Sequence, residues 1–205
     1  MEAYITVAIV AYVIGSINFA VIFSRKFAGI DVREKGSKNA GTTNVLRTVG
    51  KKAALLTLIC DILKGVAAIL IAILAKTMWS DFNINTLKYI AGFMVILGHT
   101  YPIFFEFRGG KGVATAIGIL LMLNWKIGLI CLIFGLIIIA VTRMVSLGSM
   151  VGALLFPIIT LFMQENLEFI GIIFSFAIGL LVIFNHKSNI KRIKEGKENK
   201  LSFKK

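Results

Sequence analysis

Residues 113–141 read VATAIGILLMLNWKIGLICLIFGLIIIAV, an apolar course interrupted at Asn124-Trp125-Lys126. Whether this is one helix or two decides the topology. Further apolar runs near the length of a bilayer core occur at Ala3 to Phe23, Ala53 to Leu74, Tyr89 to Phe105, Val145 to Met163 and Phe169 to Phe184. Positive charge is concentrated in two places. One is Arg25 to Lys52, with Arg25, Lys26, Arg33, Lys35, Lys38, Arg47, Lys51 and Lys52. The other is the tail after Phe184, with Lys187, Lys191, Arg192, Lys194, Lys197, Lys200, Lys204 and Lys205. Lys and Arg in short loops beside apolar spans mark the cytoplasmic side, so both segments belong there and an even number of crossings separates them. A single helix over 113–141 gives five crossings; a break at Asn124 to Lys126 gives six. The broken reading is the consistent one.

The fold expected is therefore an all-α integral membrane protein of seven transmembrane helices, with the N-terminus outside and the C-terminus cytoplasmic. The loops Glu106 to Gly112 and around Arg143 fall inside, and Lys76 to Lys88 and Gln164 to Glu168 fall outside. The two halves of the broken stretch, at about 11 to 15 residues and 1.5 Å each, are short for a hydrocarbon core of roughly 30 Å. Composition agrees: the 205 residues are 58% hydrophobic yet carry 23 Lys+Arg against 10 Asp+Glu, and a soluble domain does not combine the two. No linker or repeat divides the chain, so 1–205 is read as one membrane domain. The first apolar run lacks a basic leader and a small-residue cleavage site, which predicts a retained helix.

Cys60 and Cys131 lie in apolar runs, where a thiol behaves as a small hydrophobe. Two cysteines and two histidines, His99 and His186, match no zinc spacing, so no metal site is expected. Asp61 and Lys64, one turn apart in an apolar run, can neutralise each other, which lowers the cost of burying both.

Three polar motifs fall in the cytoplasmic segments. The first is Gly36-Ser37-Lys38-Asn39-Ala40-Gly41-Thr42-Thr43-Asn44-Val45-Leu46-Arg47. Thr42 or Thr43 can cap a short helix ending at Gly50, with Thr43 and Arg47 on one face, Asn44 beside them, and Arg47 offering a fork to phosphate. The second is Arg108-Gly109-Gly110-Lys111-Gly112 running straight into a helix, a combination of backbone N–H groups, glycines and lysine suited to an anion. It is not a Walker A loop, because Gly112 follows Lys111 where Ser or Thr is required. The third is Asn185-His186-Lys187-Ser188-Asn189, in which His186 and Asn189 share a face. Each motif alone is also compatible with a loop that merely contacts lipid headgroups, and the tail from Lys187 with a surface that holds anionic lipid.

Together and in this order, the motifs resemble the bacterial membrane acyltransferases that move an acyl chain from acyl phosphate to glycerol-3-phosphate. The resemblance rests on Gly36-Ser37, Asn39, Gly41, Thr43-Asn44 and Arg47, on Gly98-His99, Tyr101-Pro102 and Gly109 to Thr115, on Ser146, and on His186, Asn189-Ile190, Arg192, Gly196 and Glu198. Lys38 stands where that family usually has glycine, and Thr42 where alanine is common. The resemblance implies a multi-pass enzyme of the bacterial inner membrane that makes lysophosphatidate and phosphate in the first acylation step of phospholipid synthesis. Ser37, Thr43, Arg47 and Gly109-Gly110-Lys111-Gly112 would hold substrate phosphate. Asn44, Ser146, His186 and Asn189 would line the reacting centre, with either His186 or a substrate phosphate oxygen taking the hydroxyl proton.

Acyl phosphate is a mixed anhydride with a good leaving group, so neither a metal, another cofactor nor an acyl-enzyme is expected, and positioning with charge stabilisation suffices. The implied partners are glycerol-3-phosphate, long-chain acyl phosphate, membrane lipids and a soluble enzyme that makes acyl phosphate; nucleic acid is not among them. The other common type of glycerol acyltransferase uses His with Asp five positions later. Here those positions hold Phe104 and Lys191, which excludes it. The competing class, a small transporter of organic phosphate, is disfavoured because the basic residues lie in loops on one face and no inverted repeat is visible.

Overall fold

The computed structural model describes residues 1–201, and every described element is helical. In chain order the helices are α1 (Glu2–Gly15), α2 (Phe19–Ala28), α3 (Thr42–Thr48), α4 (Lys51–Met78), α5 (Ile84–Thr100), α6 (Val113–Leu123), α7 (Trp125–Thr142), α8 (Val145–Met163), α9 (Phe169–Asn185) and α10 (Lys187–Lys194). A 3₁₀ turn at Ile103–Phe105 follows α5. The chain forms two compact units, Met1–Leu123 and a second beginning at Asn124. Lys204 and Lys205 of the expected basic tail lie outside the described residues.

Five helical stretches are long and apolar enough to cross a bilayer: Glu2–Ala28, Lys51–Met78, Ile84–Phe105, Trp125–Thr142 and Val145–Met163. A sixth arises if α9 and α10, bent by 56°, count as one span. The break expected at Asn124 is present: α6 ends at Leu123, and the Asn124 side chain caps α7 by accepting the Ile127 N–H at 3.3 Å. Its Nδ2 donates to Gln164 Oε1 at 2.8 Å, so the interrupting amide is satisfied. At 18 residues α7 is longer than the sequence suggested, because it runs on through Thr142, whereas α6 has only 11.

Other interruptions were not foreseen. The run Ala3 to Phe23 is two helices, since α1 stops at Gly15 and Asn18 caps α2 by accepting from the Val21 N–H. Nor does a threonine cap α3. Gly41 occupies that place without a side-chain bond, and Gly50, at φ +121°, separates α3 from α4.

Large side chains face outward and small ones inward. Leu55, Leu63, Leu70 and Phe162 are all at least half exposed, while Ala3, Ala11, Ala68 and Ala72 are fully buried. Lipid tails offer no hydrophobic drive for helix association, so close van der Waals contact between small residues must supply it. In the first unit, a methyl placed on Gly15 would stand 2.2 Å from Val95 O and one on Gly98 2.2 Å from Tyr12 O, which brings α1 against α5. Gly118 and Ile62 O do the same for α6 on α4. In the second, Gly148 packs on Gly135 O between α8 and α7, and Gly179 on Ala153 O between α9 and α8.

Gly118→Ala should destabilise the solubilised protein by about 1 to 3 kcal/mol, because its Cβ would stand 2.2 Å from a backbone oxygen. Leu63→Ala, on an outward face, should change thermal unfolding little. Equal effects of the two substitutions would contradict the packing described.

Candidate functional site

The first motif is a loop organised by one amide. Asn44 is 2% exposed. Its Oδ1 accepts the Ser37 N–H at 2.9 Å, and its Nδ2 donates to the carbonyls of Val32, Lys35 and Asn39 at 2.8 to 3.0 Å. Four loop positions thus depend on a side chain carried by α3. Gly36, at φ +57°, admits no side chain, since a Cβ would fall 2.3 Å from Asn44 Oδ1. Lys38 is also left-handed, at φ +58°, which accounts for glycine being usual there in the resembling family. Thr42 buries its hydroxyl without a hydrogen-bond partner, so alanine would serve equally well at that position. Thr43 is half-buried and Arg47 exposed on the same helix.

The second motif is held against the end of α5. The Gly109 and Gly110 N–H groups donate to Thr100 O and His99 O, both at 3.0 Å. A Cβ on Gly109 would lie 2.0 Å from His99 O; one on Gly110 would lie 2.2 Å from His99 Nε2 and 2.7 Å from Ala40 O. These two glycines therefore serve backbone packing, a requirement the sequence reading did not separate from ligand approach. Gly112, at φ +85°, turns the chain into α6, and Lys111 between them is half-buried.

A buried guanidinium joins the two loops. Arg33 is gripped by Asp31 at 3.0 and 2.8 Å and donates through Nη1 to Phe105 O at 2.7 Å. Arg25 closes on the same Asp31 at 2.8 Å. The Arg33 guanidinium holds the Asp31 carboxyl well below the usual carboxylate range, against the opposing effect of partial burial. Sequence reading counted Arg33 only as positive charge. Its signal was the Asp31-x-Arg33 spacing, which lets a carboxylate grip the arginine two residues later.

In the second unit the organiser is Glu198, to which sequence reading assigned no role. Ser146 Oγ donates to its Oε1 at 2.9 Å, Asn189 Nδ2 to the same oxygen at 2.8 Å, and Arg192 Nε to Oε2 at 2.9 Å. Gly196, at φ +68°, ends α10 and turns the chain so that this carboxylate meets α8. The Leu201 N–H then donates to Arg143 O at 2.8 Å. Burial alone would raise the Glu198 carboxyl, but its three donors outweigh this and hold it below its ordinary value. His186 is 2% exposed at the junction of α9 and α10, with Nδ1 2.7 Å from Val182 O. A carbonyl only accepts, so Nδ1 carries hydrogen and Nε2 is the basic nitrogen of the neutral ring.

The structure thus brings together Ser37 with Asn44, and separately Ser146 with Asn189 through Glu198. Among the described residues no group of three or more His, Cys, Asp or Glu could hold a metal ion.

Helices long and apolar enough to cross a bilayer, with small residues packed inside each unit and large apolar ones facing outward, define the class: a multi-pass integral membrane protein. A family model described as glycerol-3-phosphate acyltransferase matches residues 5–196, and the chain belongs to that family. The glycerol-3-phosphate acyltransferase of Clostridioides difficile (strain 630) is 43% identical over 205 residues, covering 99% of this chain and 98% of that one. That of Thermoanaerobacter sp. (strain X514) is 44% identical, covering 98% and 96%. Two crystal structures of PlsY (YgiH), an integral membrane glycerol 3-phosphate acyltransferase, are also similar. Its glycerol 3-phosphate form superposes with TM-score 0.86 at 35% identity, covering 97% of this chain and 96% of that one. Its lysophosphatidic acid form superposes with TM-score 0.84 at 34% identity, covering 97% and 95%.

Glu198→Ala should release the turn after α10, raising hydrogen exchange over 195–201 and costing about 1 to 3 kcal/mol as its donors lose their acceptor. Because Asp31 and Glu198 have folded values below their ordinary 3.8 and 4.5, their stabilisation is complete above those values. It is lost as the pH falls through the lower folded values. Thermal stability of the wild type should fall in that acid window, and that of Glu198→Ala should fall less steeply there.

Proposed function

We propose that this protein transfers a long-chain acyl group from acyl phosphate to glycerol-3-phosphate, releasing lysophosphatidate and inorganic phosphate. The observation that carries this reading is the similarity, along 97% of the chain, to one protein solved in a glycerol 3-phosphate form and in a lysophosphatidic acid form. Those two molecules are the acceptor and the product of a single acylation.

In this reading a hydroxyl oxygen of glycerol-3-phosphate attacks the acyl carbonyl carbon, a C–O bond forms, and the bond from that carbon to the phosphate oxygen breaks. Phosphate is a good leaving group, so the protein supplies positioning and charge stabilisation and no acyl-enzyme or metal takes part. Ser37, Thr43, Arg47 and the Gly109-Gly110-Lys111-Gly112 loop hold phosphate. Ser146, His186 and Asn189 serve the reacting centre. Asn44 acts by shaping the loop that presents Ser37, since its amide is committed to that backbone. The proton from the hydroxyl goes to His186 Nε2 or to a substrate phosphate oxygen.

The topology that goes with this has seven membrane helices, the short α6 included. The N-terminus is outside and the C-terminus cytoplasmic, in a bacterial inner membrane, with the basic loops facing a soluble source of acyl phosphate. Cysteines placed at Lys35 and Lys197 should react with an impermeant reagent only from the cytoplasmic side, and one at Asn83 only from outside. Labelling of 35 and 197 from opposite faces would overturn the orientation.

Detergent-purified protein, with no sealed compartment, should convert glycerol-3-phosphate and acyl phosphate to lysophosphatidate. A transporter would not. Arg47→Ala and Lys111→Ala should each raise KM for glycerol-3-phosphate or abolish turnover, because a charge-assisted contact is worth about 1.5 to 3 kcal/mol. His186→Ala should lose roughly 10² to 10⁴ in turnover and its histidine pH limb if His186 is the base. If His186 only orients the hydroxyl, His186→Asn or His186→Gln should keep much of the rate.

A further inference from the structure

Three titratable side chains of the first unit lie inside the helix bundle, and the mechanism uses none of them. Asp61 and Lys64 on α4 and His99 on α5 are 2%, 4% and 5% exposed. Lys64 Nζ is 2.9 Å from Asp61 Oδ1 and donates to Gly15 O at 3.1 Å and Ile17 O at 2.9 Å, carbonyls freed by the break between α1 and α2. This alone satisfies the ammonium and neutralises the pair. A third polar group is not needed for that, yet His99 Nδ1 lies 3.5 Å from the same Asp61 oxygen.

What His99 does is visible on its other edge. The Gly110 backbone rests against His99 Nε2, closely enough that a methyl on Gly110 would be 2.2 Å from that nitrogen and 2.7 Å from Ala40 O. The carbonyls of His99 and Thr100 take the Gly110 and Gly109 N–H groups. The imidazole is thus a floor under the glycine loop at the point where that loop meets the first motif. Rotation of the ring would remove that floor, and the charged group that faces its Nδ1 edge is Asp61, 3.5 Å away.

We propose that Asp61, held by Lys64, fixes the His99 imidazole as the platform for Gly109-Gly110-Lys111, so that these three buried residues set the affinity for the phosphate of glycerol-3-phosphate. They are positioning residues and act through the loop. The inference rests on the reading that this loop binds that phosphate.

The test compares wild type with Asp61→Leu/Lys64→Met, His99→Ala, His99→Gln and Lys111→Ala, measuring thermal unfolding and separate KM values for glycerol-3-phosphate and acyl phosphate. The double variant removes both charges at once and leaves no unpaired ion, and thermal unfolding reports whether it folds once Gly15 O and Ile17 O lose the Lys64 donor. It should nevertheless raise KM for glycerol-3-phosphate by about tenfold, the effect of roughly one lost polar contact, and change KM for acyl phosphate by less than about twofold. His99→Ala should do the same, and His99→Gln, whose amide reaches the place of Nε2, should recover most of the loss.

If Lys111→Ala raises KM for glycerol-3-phosphate while the double variant and His99→Ala leave it unchanged, or raise both KM values equally, the proposal is wrong and the loop's role stands. If Lys111→Ala leaves that KM unchanged, the phosphate reading of the loop fails and takes this inference with it. Should the double variant not fold, the contrast between His99→Ala and His99→Gln decides by the same KM criterion.

Discussion

The ammonium of Lys64 is the contact on which the first unit turns. A lysine buried among apolar helices is tolerable only if every donor is used and the charge is balanced. Asp61 balances it, but a helix has no carbonyls to spare, since each already accepts from the N–H four residues on. The break after Gly15 supplies them. Gly15 O and Ile17 O turn to Lys64, while Ser16 Oγ donates to Tyr12 O and Asn18 caps α2. The helix break, the buried ion pair and the close crossing of α1 with α5 are therefore one arrangement.

A second constraint acts on the loops. Polar loops beside a bilayer tend to be mobile, and a site built on them needs anchors inside the protein. Here each anchor is a single side chain with several backbone or side-chain partners. Asn44 gathers four positions of the first motif, Arg33 joins that motif to Phe105, and Glu198 collects Ser146, Asn189 and Arg192. The cationic residues Arg47 and Lys111 lie on segments fixed in this way, so their charges are presented rather than tethered.

Much of this was legible in sequence where the cause is local or additive. The apolar runs, the interruption at Asn124 and the Asp61 to Lys64 spacing are properties of short windows, and charge parity is a sum over loops. The split of Ala3 to Phe23 was not legible, because its run contains no proline and the break is stabilised by a lysine on another helix. The reach of Glu198 depends on a left-handed Gly196 and a partner more than fifty residues away. Asn44 was visible as a polar residue near the site, but its commitment to the backbone of its own loop was not, since sequence shows a side chain's capacity to bond and hides its choice of partner.

The burial of Gly109 and Gly110 against the end of α5 bears on how such a protein can diversify. Neither position can admit a side chain, and Gly36 is similarly closed by Asn44. Descendants of this chain cannot tune these three positions by small steps, because a first step at each is a steric collision. The outward face is different: Leu55, Leu63, Leu70 and Phe162 meet no such wall and can be exchanged among apolar residues. Variation is thereby channelled away from these glycines and toward the surface that meets hydrocarbon, so inheritance can adjust how the protein suits its lipids while leaving the three glycines as they are.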